Sequence, residues 1–244
     1  MKKTLLLGLL LAAITAHAQP FEGWYIIPHA GMNVSTLQGY AHIQVNYMLY
    51  SDDDRMAGDD AGISQYGVGT SSSSMKHPMV GAIGGVAMEY QGHNGWAYSV
   101  GAEWSRQGAR FAEVGVNPVM LTNGRILLDY IQMPLLVRKY MTYKLAIGTG
   151  LMPEMLLTQK AKGTFNHADA VVSYDISSSA ENYQKFGVSI PVSIAYDIDG
   201  RNRLELTYSY GITNRVSGAG SWDPERPECH SHCVCLTVGH KFKL

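Results

Sequence analysis

Residues 127–157 read LLDYIQMPLLVRKYMTYKLAIGTGLMPEMLL. Ile131, Met133, Leu135 and Val137 recur at every second position. Tyr130, Gln132, Pro134 and Arg138 occupy the opposite side, with Leu136 the one apolar intruder. After a short turn around Lys139 to Thr142 the pattern resumes, with Tyr143, Leu145, Ile147 and Leu151 on one face and Lys144, Ala146, Gly148, Gly150 and Glu154 on the other. Successive side chains leave a pleated strand on opposite sides, so a period of two marks β-structure. A helix repeats every ~3.6 residues and would mix the two sets. The stretch is predicted to be a hairpin with one greasy face and one face of small residues and isolated charges.

The same alternation recurs along the rest of the chain. In 23–35, Ala30, Met32 and Val34 oppose His29, Gly31, Asn33 and Ser35. In 79–90, Val80, Val86, Met88 and Tyr90 oppose Glu89, and in 96–107 Trp96, Tyr98, Val100, Ala102 and Trp104 oppose Ser99, Gly101, Glu103 and Ser105. Further on, Phe186, Val188, Ile190, Val192, Ile194 and Tyr196 oppose Gly187, Ser189, Ser193 and Ala195. Leu204, Leu206, Tyr208, Tyr210 and Ile212 then oppose Arg203, Glu205, Thr207 and Ser209, and the last strand carries Val234, Leu236, Val238 and Phe242 against Thr237, Gly239 and Lys241. Pro191 must sit at a bulge or a poorly paired position, since proline cannot donate to a ladder.

Eight strands result, and their connections alternate in length. The long ones are 38–77, 108–124, 158–182 and 213–231; the short ones are 91–95, 139–142 and 197–202. That parity is the signature of an eight-stranded antiparallel up-and-down transmembrane β-barrel, with tight turns on the periplasmic side and longer loops outside. Closure removes open edges and satisfies every backbone polar group without water. Inward positions then carry Glu89, Glu103, Gln132, Arg138, Lys144, Glu154, Arg203, Glu205 and Lys241. A barrel of this size has room inside for side chains only, so these are expected to form a plug-like lumen charge network. Tyr90, Trp96, Tyr140, Tyr143 and Tyr196 flank the short turns and are expected to form an interfacial aromatic girdle. A lipocalin-like soluble barrel would invert the faces, exposing the charges and burying Tyr, Leu and Trp side chains too large for the lumen.

The start of the chain agrees with export. Met1, Lys2 and Lys3 precede the apolar run 5–16 and an Ala16-His17-Ala18 cleavage site, the pattern of a secretory signal peptide over 1–18, followed by a barrel domain over 19–244. No Cys follows the apolar run, so no lipid attachment point is present, and the leader is of bacterial type, which points to a Gram-negative envelope. The chain of 244 residues has a formal net charge of −1, and loss of Lys2 and Lys3 makes it slightly more acidic. That balance argues against a nucleic-acid partner.

Four segments also resemble a known family. They are Tyr130-Ile131-Gln132-Met133-Pro134-Leu135-Leu136-Val137, Ala102-Glu103-Trp104-Ser105-Arg106-Gln107-Gly108-Ala109, Leu206 to Asn214, and Val238-Gly239-His240-Lys241-Phe242. In this order they are similar to the PorT-like outer-membrane β-barrel family, over nearly the whole of 19–244. His240 departs from the usual Tyr, and Lys243-Leu244 extend past the terminal aromatic. The resemblance implies a small outer-membrane barrel; the founding member is tied to protein secretion, and a shared fold does not transfer that role.

Other constellations are weaker. Cys229, His230, His232, Cys233 and Cys235 fall within seven residues and leave three options open: zinc or copper ligation, a disulfide from Cys229 to Cys233 or Cys235, or plain thiols. Asp52, Asp53, Asp54, Asp59 and Asp60 lack the order of a calcium loop and read as a solvated segment. His77, His167 and the loop serines offer a lipid-modifying enzyme no spacing or nucleophile elbow. The expectation is a non-enzymatic barrel without a cofactor, acting structurally or through its extracellular loops, linked to secretion or envelope assembly. Its expected partners are outer-membrane lipids and lipopolysaccharide, the barrel-assembly machinery during insertion, and an envelope or secretion protein. A narrow pore or transporter is the alternative.

Overall fold

The computed structural model describes residues 22–49, 65–74, 77–110, 114–116, 119–167, 170–174, 183–215 and 229–244. The leader and the acidic segment holding Asp52 to Asp54, Asp59 and Asp60 lie outside the described residues.

Eight antiparallel strands close into a barrel. They are β1 (Gly23–Leu49), β2 (His77–Gln91), β3 (Trp96–Arg110), β4 (Val119–Gln132 continued by Leu135–Tyr140), β5 (Leu145–His167), β6 (Phe186–Asp197), β7 (Asn202–Gly211) and β8 (Cys229–His240 continued by Phe242–Lys243). Each pairs with its neighbours in sequence. The ring shuts where β1 meets β8, with His29 opposite Gly239 and Tyr25 opposite Lys243. Nearly every backbone donor therefore finds a partner inside the wall.

One end of the barrel carries the tight turns. Gly95 (φ 76°) and Gly200 (φ 78°) sit in the left-handed region that a side chain would disfavour. In the second of these turns Asp199 accepts backbone N–H bonds from Arg201 (3.0 Å) and Asn202 (2.7 Å), fixing the reversal. The other end is taller than the long loops suggested. β1 runs on to Leu49 against Gln65–Ser74, and β5 to His167 against Ala170–Tyr174. The connection read as the long loop 38–77 thus holds a hairpin extension of the wall, and the serine run 71–74 is a strand.

Prolines mark breaks in the ladder. β4 is interrupted at Met133-Pro134, where Met133 N donates to Pro153 O and Pro134 O accepts from Gly101 N. Pairing between β5 and β6 lapses between Ser189–Met152 and Val192–Thr149, the position of Pro191. Missing pairs there, rather than a shifted register, absorb the absent N–H.

Apart from register shifts between Pro78 and Ile83, Thr122 and Arg125, and Asp129 and Tyr130, the alternation holds along the described strands. Met32, Val86, Tyr98, Leu135, Ile147, Ile194, Leu206 and Leu236 are exposed on the outside, while Asn33, Glu89, Gln132, Arg138, Glu154, Ser193 and Arg203 are buried within. An apolar belt of this extent exceeds any patch a soluble monomer shows to water.

Candidate functional site

Why charge can be buried here follows from the geometry of closure. Odd and even positions are fixed in or out by the pleat, so polar residues on the inward set converge on one axis. At the turn end, Glu89 on β2 sits between two guanidinium groups. Arg203 on β7 reaches it through Nη1 (2.7 Å) and Nη2 (2.8 Å), and Arg138 on β4 through Nη1 (2.7 Å). Arg138 also donates to Ser99 Oγ (2.7 Å) and, through Nη2, to Glu205 (2.6 Å). Arg203 Nε donates to Asp197 (2.8 Å), which also accepts from Lys241 Nζ (2.8 Å). Three carboxylates thus balance three cations, and bidentate, charge-assisted bonds hold them in one arrangement. Gly148 leaves space for this: a Cβ there would lie 2.5 Å from Arg138 Cγ.

Tyr140 corrects the expected girdle. It is 3% exposed, against 69% for Tyr143. Its hydroxyl accepts from Gln91 Nε2 (2.6 Å) and Arg203 Nη2 (2.7 Å) and donates to Asp197 (3.1 Å). Tyr140 has the parity of Arg138, so the pleat points it inward, where the network needs a donor and acceptor. Tyr90, Trp96, Tyr143 and Tyr196 do face out at the turn end, joined by Trp24 with its ring centroid 5.1 Å from that of Tyr90. Lys144 is a second correction. Its Nζ donates to Ile198 O (3.0 Å) and lies over the rings of Tyr143 and Tyr196, so it belongs to the rim and not to the lumen network.

Above this layer, His29 Nε2 meets Glu103 at 3.0 Å. A cavity of about 60 Å³ lies beside them, lined among others by Ile83, Gln132, Met152 and Cys235. It has room for a few waters. Gln132 is buried, and its Nε2 has no partner among the described residues. A second plug closes the far side. Arg215, almost fully buried, pairs with Glu154 and donates to Ser231 Oγ (3.0 Å), with its guanidinium 5.0 Å from the Tyr130 ring centre. Arg215 comes from the segment after β7, where Arg215 N donates to Cys229 O and Gln184 N to Arg215 O.

Of the three options open for the cysteine cluster, the structure has plain thiols. Cys229, Cys233 and Cys235 are inward and buried, while alternation sends His230 and His232 to the outer face, where His232 Nδ1 meets Tyr208 OH at 2.8 Å. Thiols and imidazoles therefore cannot converge on one metal, and no group of three metal-ligating side chains occurs among the described residues. All three cysteines are free; Sγ of Cys233 and Cys235 are 3.5 Å apart. They lie on a barrel strand and not in a loop that a disulfide would staple. His77 is exposed at the loop end of β2, and the side chain of His167 lies outside the described residues.

The chain matches the family described as outer membrane protein beta-barrel domain over residues 18–216. It belongs to that family. This outer-membrane barrel is similar in fold to several solved proteins. The attachment invasion locus protein Ail of Yersinia pestis, solved with the heparin analogue sucrose octasulfate, is 12% identical, with TM-score 0.43 over 91% of this chain and 100% of Ail. OprG of Pseudomonas aeruginosa is 11% identical, with TM-score 0.43 over 93% of this chain and 100% of OprG. Neisserial surface protein A is 10% identical, with TM-score 0.40 over 90% and 97%. No curated protein sequence gives a significant match. Outer-membrane barrels in general keep short turns in the periplasm, longer loops outside and the apolar belt in lipid.

Proposed function

We propose that the protein is a non-conducting, non-enzymatic outer-membrane anchor that holds its extended outer walls and loops for interaction with an envelope or secretion partner. The observation that carries this reading is the pair of charged plugs, Glu89–Arg138–Arg203–Asp197 below and Glu154–Arg215 above, which fill the axis at two heights. Ions would have to break several buried charge-assisted bonds at each. The wall supports the interaction half of the proposal: β1 continues from Gln38 to Leu49, rising roughly 30 Å beyond the belt at ordinary strand rise and tilt. The reading includes export through a cleaved signal peptide over 1–18, insertion by the barrel-assembly machinery, and contacts with outer-membrane lipids and lipopolysaccharide. The four resembling segments add a PorT-like affiliation, and with it a link to secretion or envelope assembly.

Two measurements test it. Cell fractionation with boiled and unboiled samples should place a heat-modifiable species in the outer membrane; a soluble, unshifted protein would sink the reading. In planar bilayers the folded protein should show no unitary conductance, and steady ohmic steps would replace the anchor by a narrow pore.

A further inference from the structure

Three adjacent strands carry an unusual set of charges on their outward faces. On β3, Trp104 is followed at outward positions by Arg106 and Arg110; β4 presents Asp129 and Arg125, and β5 presents Thr158 and Lys160. In register, Arg110 stands directly opposite Arg125, and Arg125 opposite Lys162. Like charges facing each other across an antiparallel pair repel and destabilise it. Asp129 offsets them in part: it accepts from Arg106 Nε (2.7 Å) and Nη2 (3.0 Å) and from Thr158 Oγ1 (2.9 Å), and its charge also attracts Lys160, while Arg110 and Arg125 have no such partner among the described residues. Arg110, Arg125 and Lys160 are exposed and make no ion pair among the described residues. The opposite wall differs. Outward positions at this height on β7, β8, β1 and β2 include Tyr208, Tyr210, His230, His232 and Val34, with no Lys or Arg among the described residues.

Height fixes what these cations meet. Trp96 marks the periplasmic edge of the apolar belt. At ~3.3 Å per residue and a tilt of ~40°, Arg106 stands ~25 Å above it, the height of an outer-membrane apolar band. Arg110 and its neighbours lie ~10 Å higher by the same reckoning, in the headgroup layer. Arginine binds phosphate bidentately and suits this place.

We propose that Arg110, Arg125 and Lys160, with Arg106 at their lower edge, form a site for the phosphate groups of an outer-leaflet glycolipid lying against the outside of β3–β5. The bound phosphates neutralise the cross-strand repulsion, and the acyl chains lie along Trp104, Ile131 and Leu157 beneath. The site rests on the outer-membrane placement and deepens the lipid contacts proposed above.

The test uses the full-length protein in non-ionic detergent, titrated by thermophoresis with bisphosphorylated lipid A, with the same lipid A stripped of both phosphates, and with inorganic phosphate. Bisphosphorylated lipid A should bind at least tenfold more tightly than the stripped form, and inorganic phosphate should not compete below millimolar concentration. The triple variant R110Q/R125Q/K160Q should lose at least tenfold in affinity. R201Q/K243Q, at the periplasmic rim, should bind as the wild type does. Equal binding of the two lipid A forms, an unaffected triple variant, or submillimolar competition by inorganic phosphate would each overturn the proposal. If the triple variant fails to fold, the two lipid forms on the wild type decide alone. A heat-modifiable wild type that binds no lipid A defeats the site and leaves the barrel; a wild type without heat-modifiability defeats both.

Discussion

Arg203 grips Glu89 with both terminal nitrogens, at 2.7 and 2.8 Å, from a strand separated from it by two others around the wall and by 114 residues of sequence. Neither residue touches lipid or bulk water. Removing Glu89 leaves Arg138 and Arg203 with only Glu205 and Asp197 to balance them and Lys241, an excess of buried positive charge, and breaking a buried pair typically costs about 3–5 kcal/mol. Glu89→Gln should therefore lower the free energy of urea unfolding in lipid vesicles by that order.

Tyr140→Phe tests the hydroxyl at the centre of the same layer. Gln91, Asp197 and Arg203 would each lose a partner, a loss worth about 1–3 kcal/mol for a buried group left unsatisfied. The same substitution at Tyr143, exposed on the outside, should leave the unfolding free energy within ~0.5 kcal/mol of the wild type.

Gly148→Ala should destabilise by about 1–3 kcal/mol, because the added methyl group meets Arg138 and forces the guanidinium off its carboxylates. Gly84→Ala is the matched control. Its nearest neighbour would be His29 O at 3.6 Å, an ordinary contact, and its unfolding midpoint should stay close to that of the wild type.

The three thiols report on the lumen. A bulky charged maleimide should label none of Cys229, Cys233 and Cys235 in the folded barrel and all three after boiling in detergent. Mass spectrometry counts the adducts, and labelling of the unboiled species would show a lumen more open than the two plugs allow.

Much of this architecture was legible in the sequence because a barrel wall has a rigid grammar. The pleat fixes which side each residue faces, so Glu89, Arg138, Arg203 and Glu205 could be assigned to the lumen from parity. Tyr140 has lumen parity too, but its nearness to a short turn points to the girdle, and the pleat overrides that nearness. Lys144 failed for a different reason: it sits in the turn between β4 and β5, where no pleat dictates direction. Arg215 carried no signal, because the alternation had already stopped, and only the backbone bonds to Gln184 and Cys229 turn it inward. Asp197 was read as part of a turn, although its parity with Ala195 pointed to the lumen and to Lys241. The Cys/His cluster leaves three options open in the sequence because nearness along a strand is not nearness in space. Neighbours on a strand point apart, which here separates three thiols from two imidazoles.

The seam at which His29 meets Gly239 has a kinetic meaning. Hairpins such as β6–β7 can form as soon as their residues are available, since they need only local contacts. The β1–β8 ladder instead joins strands with all the others between them, and such distant pairing is slow because the intervening loop must be closed first. Until it forms, both flanking strands offer raw edges on which another chain can template. The vulnerable moment in the life of this protein is therefore its passage through the periplasm, and a lesion in β1 or β8 should show itself as aggregation and proteolysis there before it shows as a weakened barrel in the membrane.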